Sequence, residues 1–314
     1  MAAVTATVSV VIPAYNSREL LAANLPALLE ATRGRTGVEA IIVDDGSMDG
    51  TSEFLASRFP EVRLIALASN QGAARARNAG VAAATGDLLY FLDSDARVRA
   101  GFLDPVLEGF SDPSVFAVGS REVSPETGGK LIVPIPFFRF GLFGHRYVTR
   151  DVAGRSFPVP FVPTSHAAFS REKLLALGGF DHLFRPLYWE DVDLCYRAWR
   201  RRWRVIIEPA SVVEHALQGT TRRIYSRVAI QTIYWKNRFL FIWKNIRDGA
   251  LVAEHLACLP LLLAGLPLVK GRAVLRGFAG ALGQLGEALG KRRADAGGPA
   301  VTDREILRTF ATRA

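Results

Sequence analysis

Two carboxylates stand one residue apart directly after a short run of apolar residues. Asp93 and Asp95 follow the run Leu88 to Leu92, and the small residue Ser94 between them lets a ligand approach the backbone. Oxygen ligands of this kind suit Mg²⁺ or Mn²⁺, which keep coordination positions open for the oxygens of a substrate phosphate. An acidic pair at a strand end is also typical of a turn or a helix cap, so the spacing alone leaves both interpretations open.

The elements before this pair predict where such groups would meet. Apolar runs alternate with helix-like stretches: Val8 to Pro13 before Ser17 to Thr32, Ala40 to Val43 before Ser52 to Phe59, and Val62 to Ala66 before Ala73 to Ala84. Continuous apolar strands separated by helices are typical of a parallel sheet covered on both faces. Because ligands bind at the carboxyl ends of such strands, we expect the polar segments after them to share one edge with the acidic pair. These segments are Pro13-Ala14-Tyr15-Asn16, Asp44 to Gly50 and Asn70-Gln71-Gly72.

Length and composition bound the class of protein. The 314 residues are 49% hydrophobic and 22% charged, which indicates a globular chain with a sizeable core. The two cysteines, Cys195 and Cys258, cannot form a disulfide framework, so a reducing compartment is expected. Residues 1–7 lack a basic segment, which predicts no cleavable signal. Neither a Gly-x-Gly-x-x-Gly after the first strand nor a phosphate-binding P-loop motif occurs, so hydride transfer and P-loop chemistry lose their main support.

At its polar segments the chain resembles the family 2 glycosyltransferases, whose GT-A fold pairs a nucleotide-binding α/β half with an acceptor-binding half. The resemblance covers about residues 7 to 245 and keeps the order of the family. Besides the three segments above, it is carried by Ala76 to Gly80, Asp93-Ser94-Asp95, Gly178-Gly179-Phe180-Asp181 and Trp189 to Leu194. A later part is most similar to bacterial rhamnosyltransferases, through Arg197, Trp203-Arg204-Val205 and Val212 to His215.

The resemblance implies an overall organisation. We expect an α/β fold of GT-A type, with a Rossmann-like, mostly parallel sheet, helices on both faces, and C-terminal amphipathic helices. Residues 1–100 would bind the nucleotide sugar, and residues 101–225 would bind the acceptor and carry catalysis. Residues 226–314 would form a basic region that associates with a membrane.

The resemblance also implies which residues contact the donor. Asp45 would accept a hydrogen bond from the ring N–H of a pyrimidine, which leaves uridine and deoxythymidine diphosphate sugars both compatible. Arg77 would contact the nucleotide or the diphosphate, and an ordinary surface arginine is the alternative. Asp49 is expected only to cap the next helix. The donor contacts expected in full are Pro13, Ala14, Tyr15, Asn16, Asp45, Gly72, Arg77, Asp93 and Ser94.

A divalent cation completes the implied donor site. Asp93 and Asp95 would hold Mn²⁺ or Mg²⁺, and His215 matches the family position that supplies a further ligand from the far side of the site. A lone histidine is also commonly structural. A mixed set of carboxylates and imidazole suits Mn²⁺ slightly better than Mg²⁺.

Glu190 and Asp191 are the candidate catalytic residues. They are expected to open a helix that runs through Leu194 and Ala198, which places their carboxylates near the positive end of the helix dipole. Asp191 matches the catalytic base of the family. Inverting transfer needs one carboxylate that takes the proton of the acceptor hydroxyl while its oxygen attacks the anomeric carbon. Asp193 is expected only to complement the dipole.

Charge is distributed unevenly along the chain. Residues 1–196 hold 18 basic and 22 acidic residues, whereas residues 197–314 hold 21 basic and 8 acidic ones. We therefore expect the C-terminal region to face an anionic surface, with a solvated basic face as the alternative. A membrane is favoured over nucleic acid, because no nucleic-acid-binding module is recognisable and the aromatic residues lie on apolar helices.

Two stretches of this region could contact the membrane. Tyr234 to Lys244 predicts a helix that lies on anionic lipid through an apolar face bearing Trp235, Leu240 and Trp243. Leu256 to Val269 has 14 uncharged residues with two prolines, so it is predicted to be too short to span and to lie in the membrane plane or re-enter it. Packing in the protein core is the alternative for this stretch.

A third stretch lies between the two halves of the fold. Gly128 to Val148 is rich in proline and phenylalanine. It is interpreted as an irregular excursion held by ordinary packing, and a wall or lid for the acceptor is the alternative.

Together these features predict a metal-dependent, inverting hexosyltransferase. It would extend a saccharide, expected to be lipid-linked, of a bacterial envelope polymer, as a cytoplasmic protein peripheral on the inner membrane. A donor-binding but inactive membrane partner of a larger polysaccharide synthase is the alternative, and the intact Asp93, Asp95 and Asp191 argue against it. A nucleotidyltransferase would need a glycine-rich, basic loop where Pro13-Ala14-Tyr15-Asn16 stands.

Overall fold

A nine-stranded sheet forms the centre of the computed structural model, which describes residues 6–124, 130–150, 154–215, 224–295 and 301–311. The strands are β1 (Val8–Ala14), β2 (Val38–Asp44), β3 (Arg63–Ala66), β4 (Leu88–Leu92), β5 (Ala96–Val98), β6 (Val115–Val123), β7 (Leu131–Arg139), β8 (Leu142–Arg150), β9 (Phe157–Pro158), β10 (His166–Ser170) and β11 (Arg204–His215). The helices are α1 (Arg18–Thr32), α2 (Thr51–Arg58), α3 (Ala73–Ala83), α4 (Leu103–Gly109), α5 (Arg171–Ala176), α6 (Glu190–Arg200), α7 (Arg227–Asn245), α8 (Gly249–Lys270), α9 (Ala273–Leu282), α10 (Leu285–Ala294) and α11 (Asp303–Ala311).

The strand order of the sheet is β3-β2-β1-β4-β10-β6-β11-β5, with β9 paired to β11. Strands β3, β2, β1 and β4 are parallel, and β10 runs antiparallel to both β4 and β6. The apolar residues of β1 and β4 are buried because helices cover both faces, which confirms the expected mostly parallel α/β fold. The antiparallel β10 starts where β4 ends, so His166 pairs with Leu92 at the edge where the parallel strands end.

Close packing of helix α3 on the sheet depends on a glycine. A Cβ atom at Gly80 would lie 2.3 Å from Cγ1 of Val11 on β1. A side chain here would therefore push α3, which carries Arg77, away from the sheet.

The proline- and phenylalanine-rich stretch is a regular hairpin of β7 and β8 and not an irregular excursion. Its residues 128 and 129 lie outside the described part of the chain. At the tip, the N–H of Gly141 donates to Oε1 of Glu254 over 2.9 Å, and Nδ1 of His255 lies 2.6 Å from the Gly141 carbonyl. The φ of Gly141 is 72°, and a Cβ there would lie 2.9 Å from Cα of His255, so this contact with α8 requires glycine.

Helix α7 is part of the protein core. Trp235 and Leu240 are buried in a cluster with side chains of α6, β8, α9 and α10. The prediction that this apolar face lies on lipid is wrong, because the helices that follow α7 in the chain cover it. An apolar stripe of helical period predicts burial but not whether protein or lipid does the burying.

Helix α8 is apolar and largely exposed. It contains the whole stretch from Leu256 to Val269, runs through both prolines, and leaves Leu261 76% and Leu268 88% exposed. One side of the stretch, with Leu259, Leu262 and Leu266, packs against the core cluster that contains Trp235, and the other side is exposed. The prediction that the stretch is too short to span does not hold for the helix, because α8 extends beyond the uncharged residues at both ends. With 22 residues, α8 is the one helix in the described ranges long and apolar enough to cross a membrane, which is also compatible with peripheral membrane association.

Candidate active site

The predicted polar segments meet where β1, β2 and β4 end, around a cleft of about 250 Å³. Residues expected to contact the donor line it: Pro13, Ala14, Tyr15, Asp45, Gly72, Arg77, Asp93 and Ser94. Asp95 and Glu190 also line this cleft. Sequence reasoning missed other lining residues, among them Ser17, Pro186, Leu187, Tyr188 and Tyr225. Of these, Tyr188 stands directly before Trp189, where the family motif begins.

Asn16 differs from the other predicted donor contacts. Its Oδ1 accepts from the N–H of Met48 over 2.8 Å, and its own N–H donates to Oγ of Ser47 over 2.8 Å. With φ at 49°, Asn16 joins the loop after β1 to the loop after β2 and is not among the residues that line the cleft. Its backbone turn thus positions Tyr15, while its side chain is engaged elsewhere.

Asp45 holds the loop before α3, whose Asn70 and Gly72 line the cleft. Its two carboxylate oxygens accept from the N–H groups of Gln71 and Gly72, each over 2.8 Å. Burial raises the pKa of Asp45, and these two bonds partly oppose the rise. Asp49 precedes the N-cap residue of α2, which is Gly50, and its Oδ1 accepts from the N–H of Thr51 over 3.1 Å, so its side chain satisfies one N–H of the first turn of α2.

The acidic pair after β4 lies within reach of His215. One ligand atom from each of Asp93, Asp95 and His215 lies within 4.8 Å of the others, and Nε2 of His215 is 3.1 Å from Oδ1 of Asp95. Ser94, between the two aspartates, is tied down by a bond from Nδ2 of Asn24 to its carbonyl and by its hydroxyl's bond to Ser17. Two carboxylates and one imidazole at this spacing are a suitable donor set for a divalent ion such as Mn²⁺.

His215 also contacts residues that sequence reasoning missed. Its Nδ1 is 3.5 Å from Oε2 of Glu122, and its ring lies edge-to-face with that of buried His166, with centroids 6.2 Å apart. Burial disfavours the charged form of His215, but hydrogen bonds to Asp95 and Glu122 outweigh it and raise the pKa to about 10. Burial instead lowers the pKa of His166 to about 4, so His166 is neutral. Glu122 lies near the end of β6 and His166 at the start of β10. These positions at strand ends are the signal that could have identified both residues from the sequence.

Arg77 links the loop after β4 to the start of α6. It is buried on α3, and its guanidinium donates to Oδ1 of Asp93 and to Oε1 of Glu190, each over 3.1 Å. Burial opposes its charge, but the charges of Asp93 and Glu190 outweigh burial and raise the pKa of Arg77. Arg77 is thus not an ordinary surface arginine. Its guanidinium lines the cleft and already donates hydrogen bonds to two carboxylates. The second oxygen of Glu190, Oε2, is buried without a hydrogen-bond partner in the described ranges.

Asp191 follows in the first turn of α6, which begins at Glu190 as predicted. Burial raises its pKa to about 7, with a further rise from the charge of Glu190 and opposition from the Val192 N–H and Arg77. A carboxyl group with a pKa near the working pH is suited to general-base chemistry. The charge of Asp191 also contributes to raising the pKa of Tyr234 on α7, for which burial is the main cause.

The loop before α6 is held by a residue from α7. Tyr188 and Trp189 have φ values of 68° and 77°, a region that costs non-glycine residues about 1–3 kcal/mol each. Nδ2 of buried Asn237 donates to the carbonyls of Phe184, Leu187 and Tyr188 over 2.6 to 2.9 Å. The C-terminal region therefore shapes the site, which no sequence motif indicated.

Comparison with known proteins identifies the family. The model described as "Glycosyl transferase family 2" matches residues 9–178, more than half of the chain. The chain belongs to glycosyltransferase family 2.

Two relatives from Mycobacterium tuberculosis share about a third or less of their aligned residues with the chain. The pre-mycofactocin glycosyltransferase of Mycobacterium tuberculosis is 33% identical over 215 residues, which are 66% of this chain and 42% of the relative. The N-acetylglucosaminyl-diphospho-decaprenol L-rhamnosyltransferase of the same organism is 27% identical over 233 residues, 65% of this chain and 74% of the relative. The chain thus spans less than half the length of the first relative.

Solved structures show the same fold. GalNAc-T7, solved with UDP, GalNAc and Mn²⁺, has a TM-score of 0.63 at 17% identity and covers 93% of this chain and 58% of its own. A mannosyltransferase from Pyrobaculum calidifontis, solved with GDP-Man and Mn²⁺, has a TM-score of 0.57 at 20% identity and covers 88% and 87%. The fold is accordingly of the GT-A type.

Proposed function

We propose that the protein is an inverting glycosyltransferase that moves a sugar from a UDP or dTDP donor to a hydroxyl group of a saccharide acceptor. The observation that carries this proposal is the meeting of Asp93, Asp95 and His215 at one edge of the sheet, joined through Arg77 and Glu190 to the start of α6. The acceptor in this proposal is lipid-linked and belongs to bacterial envelope polysaccharide synthesis. The similarity to an N-acetylglucosaminyl-diphospho-decaprenol L-rhamnosyltransferase supports a lipid-linked acceptor.

Asp191 acts as the catalytic base in this proposal. Its pKa of about 7 lets a substantial fraction be ionised at neutral pH and able to take the proton of the acceptor hydroxyl. Glu190 assists by pairing with Arg77, which keeps α6 and its base in register with Asp93 across the cleft. One carboxylate is sufficient for inverting transfer, so no second nucleophile is required.

The donor would lie along the strand ends. Pro13, Ala14, Tyr15, Asp45 and Gly72 line the part of the cleft that we assign to the base and ribose. Asp93, Asp95 and His215 would hold Mn²⁺ or Mg²⁺, which when bound neutralises charge on the departing diphosphate. Two structural relatives were solved with Mn²⁺, which supports this choice of ion.

The proposed location is the cytoplasmic face of the inner membrane. Exposed apolar side chains of α8, with the exposed cations Lys270, Arg272 and Arg276 beside them, support contact with anionic lipid. In this proposal residues 1–100 bind the donor and residues 101–225 bind the acceptor. Residues 226–314 contact the membrane and, through α7, also shape the site.

A thermal-shift screen tests donor binding. UDP, dTDP and GDP sugars are added with and without Mn²⁺, and Asp95→Ala serves as the matched variant. We expect a uridine or deoxythymidine donor to raise the melting temperature of the unmodified chain only when the metal is present, since the metal is proposed to hold the diphosphate, and not to raise that of Asp95→Ala. A donor at about 100 times its Kd adds about 2.7 kcal/mol to the free energy of unfolding. No stabilisation by any donor would contradict the proposal.

Turnover separates the enzyme from the inactive alternative. Donor hydrolysis or transfer by the purified protein supports the enzyme, whereas donor binding with no hydrolysis or transfer favours an inactive partner of a synthase.

Sedimentation with anionic phospholipid vesicles tests the membrane contact, with Leu261→Ser/Leu268→Ser as the variant expected to lose it. Equal sedimentation of both forms would refute the role of α8.

A further inference from the structure

The imidazole of His215 lies between two carboxylates. Nε2 is 3.1 Å from Oδ1 of Asp95, and Nδ1 is 3.5 Å from Oε2 of Glu122. His215 and Asp95 are mostly buried, and Glu122 is more buried than exposed. The two ring nitrogens therefore have different partners on opposite sides.

The register of the sheet produces this arrangement. Strand β11 lies between β6 and β5, with Val213 opposite Glu122 on one side and His215 opposite Ala96 on the other. Glu122 comes from the end of β6, and Asp95 directly precedes β5. Both carboxylates are thus supplied by backbone that pairs with the strand carrying His215.

This geometry decides which nitrogen is available to a cation. A neutral imidazole has one N–H, and the hydrogen bond made by one nitrogen fixes the other as the ligand. In the absence of an ion, Nε2 donates a hydrogen bond to Asp95 and Nδ1 donates one to Glu122. A bound cation would take the place of the Nε2 proton beside Asp95 and Asp93, while Glu122 would keep the Nδ1–H. Histidines that bind metals commonly donate their second N–H to a carboxylate in this way, and losing that partner weakens metal binding about 10–100-fold.

We infer that Glu122 is the positioning residue of the cation site, acting through His215 and not by binding the ion itself. The inference rests on the proposed metal site. His166 helps to fix the orientation of the His215 ring, because its own buried ring packs edge-to-face against it.

The competing arrangement is a second ion held by Glu122, His166 and His215. One ligand atom from each also lies within 4.8 Å of the others. His215 belongs to both groups, and its Nε2 faces Asp95 and not Glu122. We therefore expect one ion per chain, and binding of two would overturn the inference.

The experiment measures Mn²⁺ binding to the full chain without donor or acceptor, from the electron paramagnetic resonance signal of free Mn²⁺. We expect Glu122→Ala to weaken binding 10–100-fold and Glu122→Gln to weaken it less, since an amide oxygen still accepts the Nδ1–H. Glu214→Gln is the matched control, because this neighbouring carboxylate is exposed and pairs with Arg99; its binding should stay within twofold. Melting without metal checks that each variant is folded.

A double-mutant cycle tests that Glu122 acts through His215. In a His215→Ala background, Glu122→Ala should weaken Mn²⁺ binding no further, whereas a ligand or a general structural role would give an additive loss. An additive loss, or Glu122→Ala and Glu122→Gln that both bind like the unmodified chain, overturns the inference. If the unmodified chain binds no Mn²⁺, the proposed metal site itself fails, which is a separate outcome.

Discussion

Helix α6 presents aspartates to two different regions. Asp191 adjoins Glu190, which lines the cleft, but does not itself line it. It has a hydrogen bond from the adjacent Val192 N–H and a pKa raised to about 7 by burial and by Glu190. On the core side, Asp193 is fully buried and binds Lys244 over 2.6 Å and Arg197 over 2.8 Å. Asp193 therefore does more than complement the helix dipole, because it ties α6 to α7.

The difference shows how one helix turn can carry both chemistry and stability. A buried carboxylate between buried cations cannot be removed without leaving those cations uncompensated inside the protein, which lowers the free energy of unfolding. A carboxylate that is buried beside another acid binds its proton more tightly and is available for proton transfer. Replacing each aspartate with asparagine should consequently lower activity at Asp191 and lower the free energy of unfolding at Asp193.

The largest effect is expected for Asp191→Asn. The amide cannot take a proton, so transfer should fall by 10²–10⁴-fold, the usual contribution of a general base. Donor binding, measured by thermal shift, should persist because the cleft residues are unchanged. Normal turnover in this variant would remove Asp191 from the mechanism.

Asp193→Asn should act on stability instead. It leaves Lys244 and Arg197 buried without one of their counter-charges, which costs about 3–5 kcal/mol of unfolding free energy. Denaturant titration measures the loss. Asp112→Asn is the matched control, because Asp112 pairs with Arg204 at an exposed site and should change stability by less than about 1 kcal/mol. Equal stability of the two variants would show that burial does not distinguish these pairs.

The sequence could predict the cleft side of this comparison better than the core side. The strands that place Asp93 and Asp45 are short apolar runs followed by polar residues, a pattern legible in a single chain. The pairing of Asp193 with Lys244, 51 residues later, depends on how α7 packs. The apolar face of α7 has the same period whether it meets lipid or protein, so the wrong choice there also hid the contact of Asn237 with the loop before α6.

A smaller effect is expected in the pH dependence of stability. The pKa of Asp191 is about 7 in the folded protein and about 3.9 in an unfolded chain. Between these values the folded state binds more protons, so the contribution of Asp191 to stability is lost as the pH rises from about 4 to about 7. Asn at this position does not titrate.

The stability of Asp191→Asn relative to the unmodified chain should therefore increase over this range and level off above it. Chemical denaturation in metal-free buffers from pH 4 to pH 8 measures the difference. A difference that is flat across the range would mean that Asp191 is solvated like an ordinary aspartate.

The smallest effect should come from the outer part of the core-side network. Asp181 binds buried Lys244 over 2.6 Å through one oxygen and Lys291, whose side chain is 36% exposed, over 2.8 Å through the other. Since water screens the pair of Asp181 and Lys291, Lys291→Ala should lower the free energy of unfolding by about 1 kcal/mol or less, although Lys291 and Lys244 share one carboxylate. Lys244→Ala should cost several times more, because it leaves Asp193 and Asp181 facing each other inside the protein. Denaturant titration of the two variants gives the ratio, and equal costs would mean that the buried lysine gains nothing from its position between two acids.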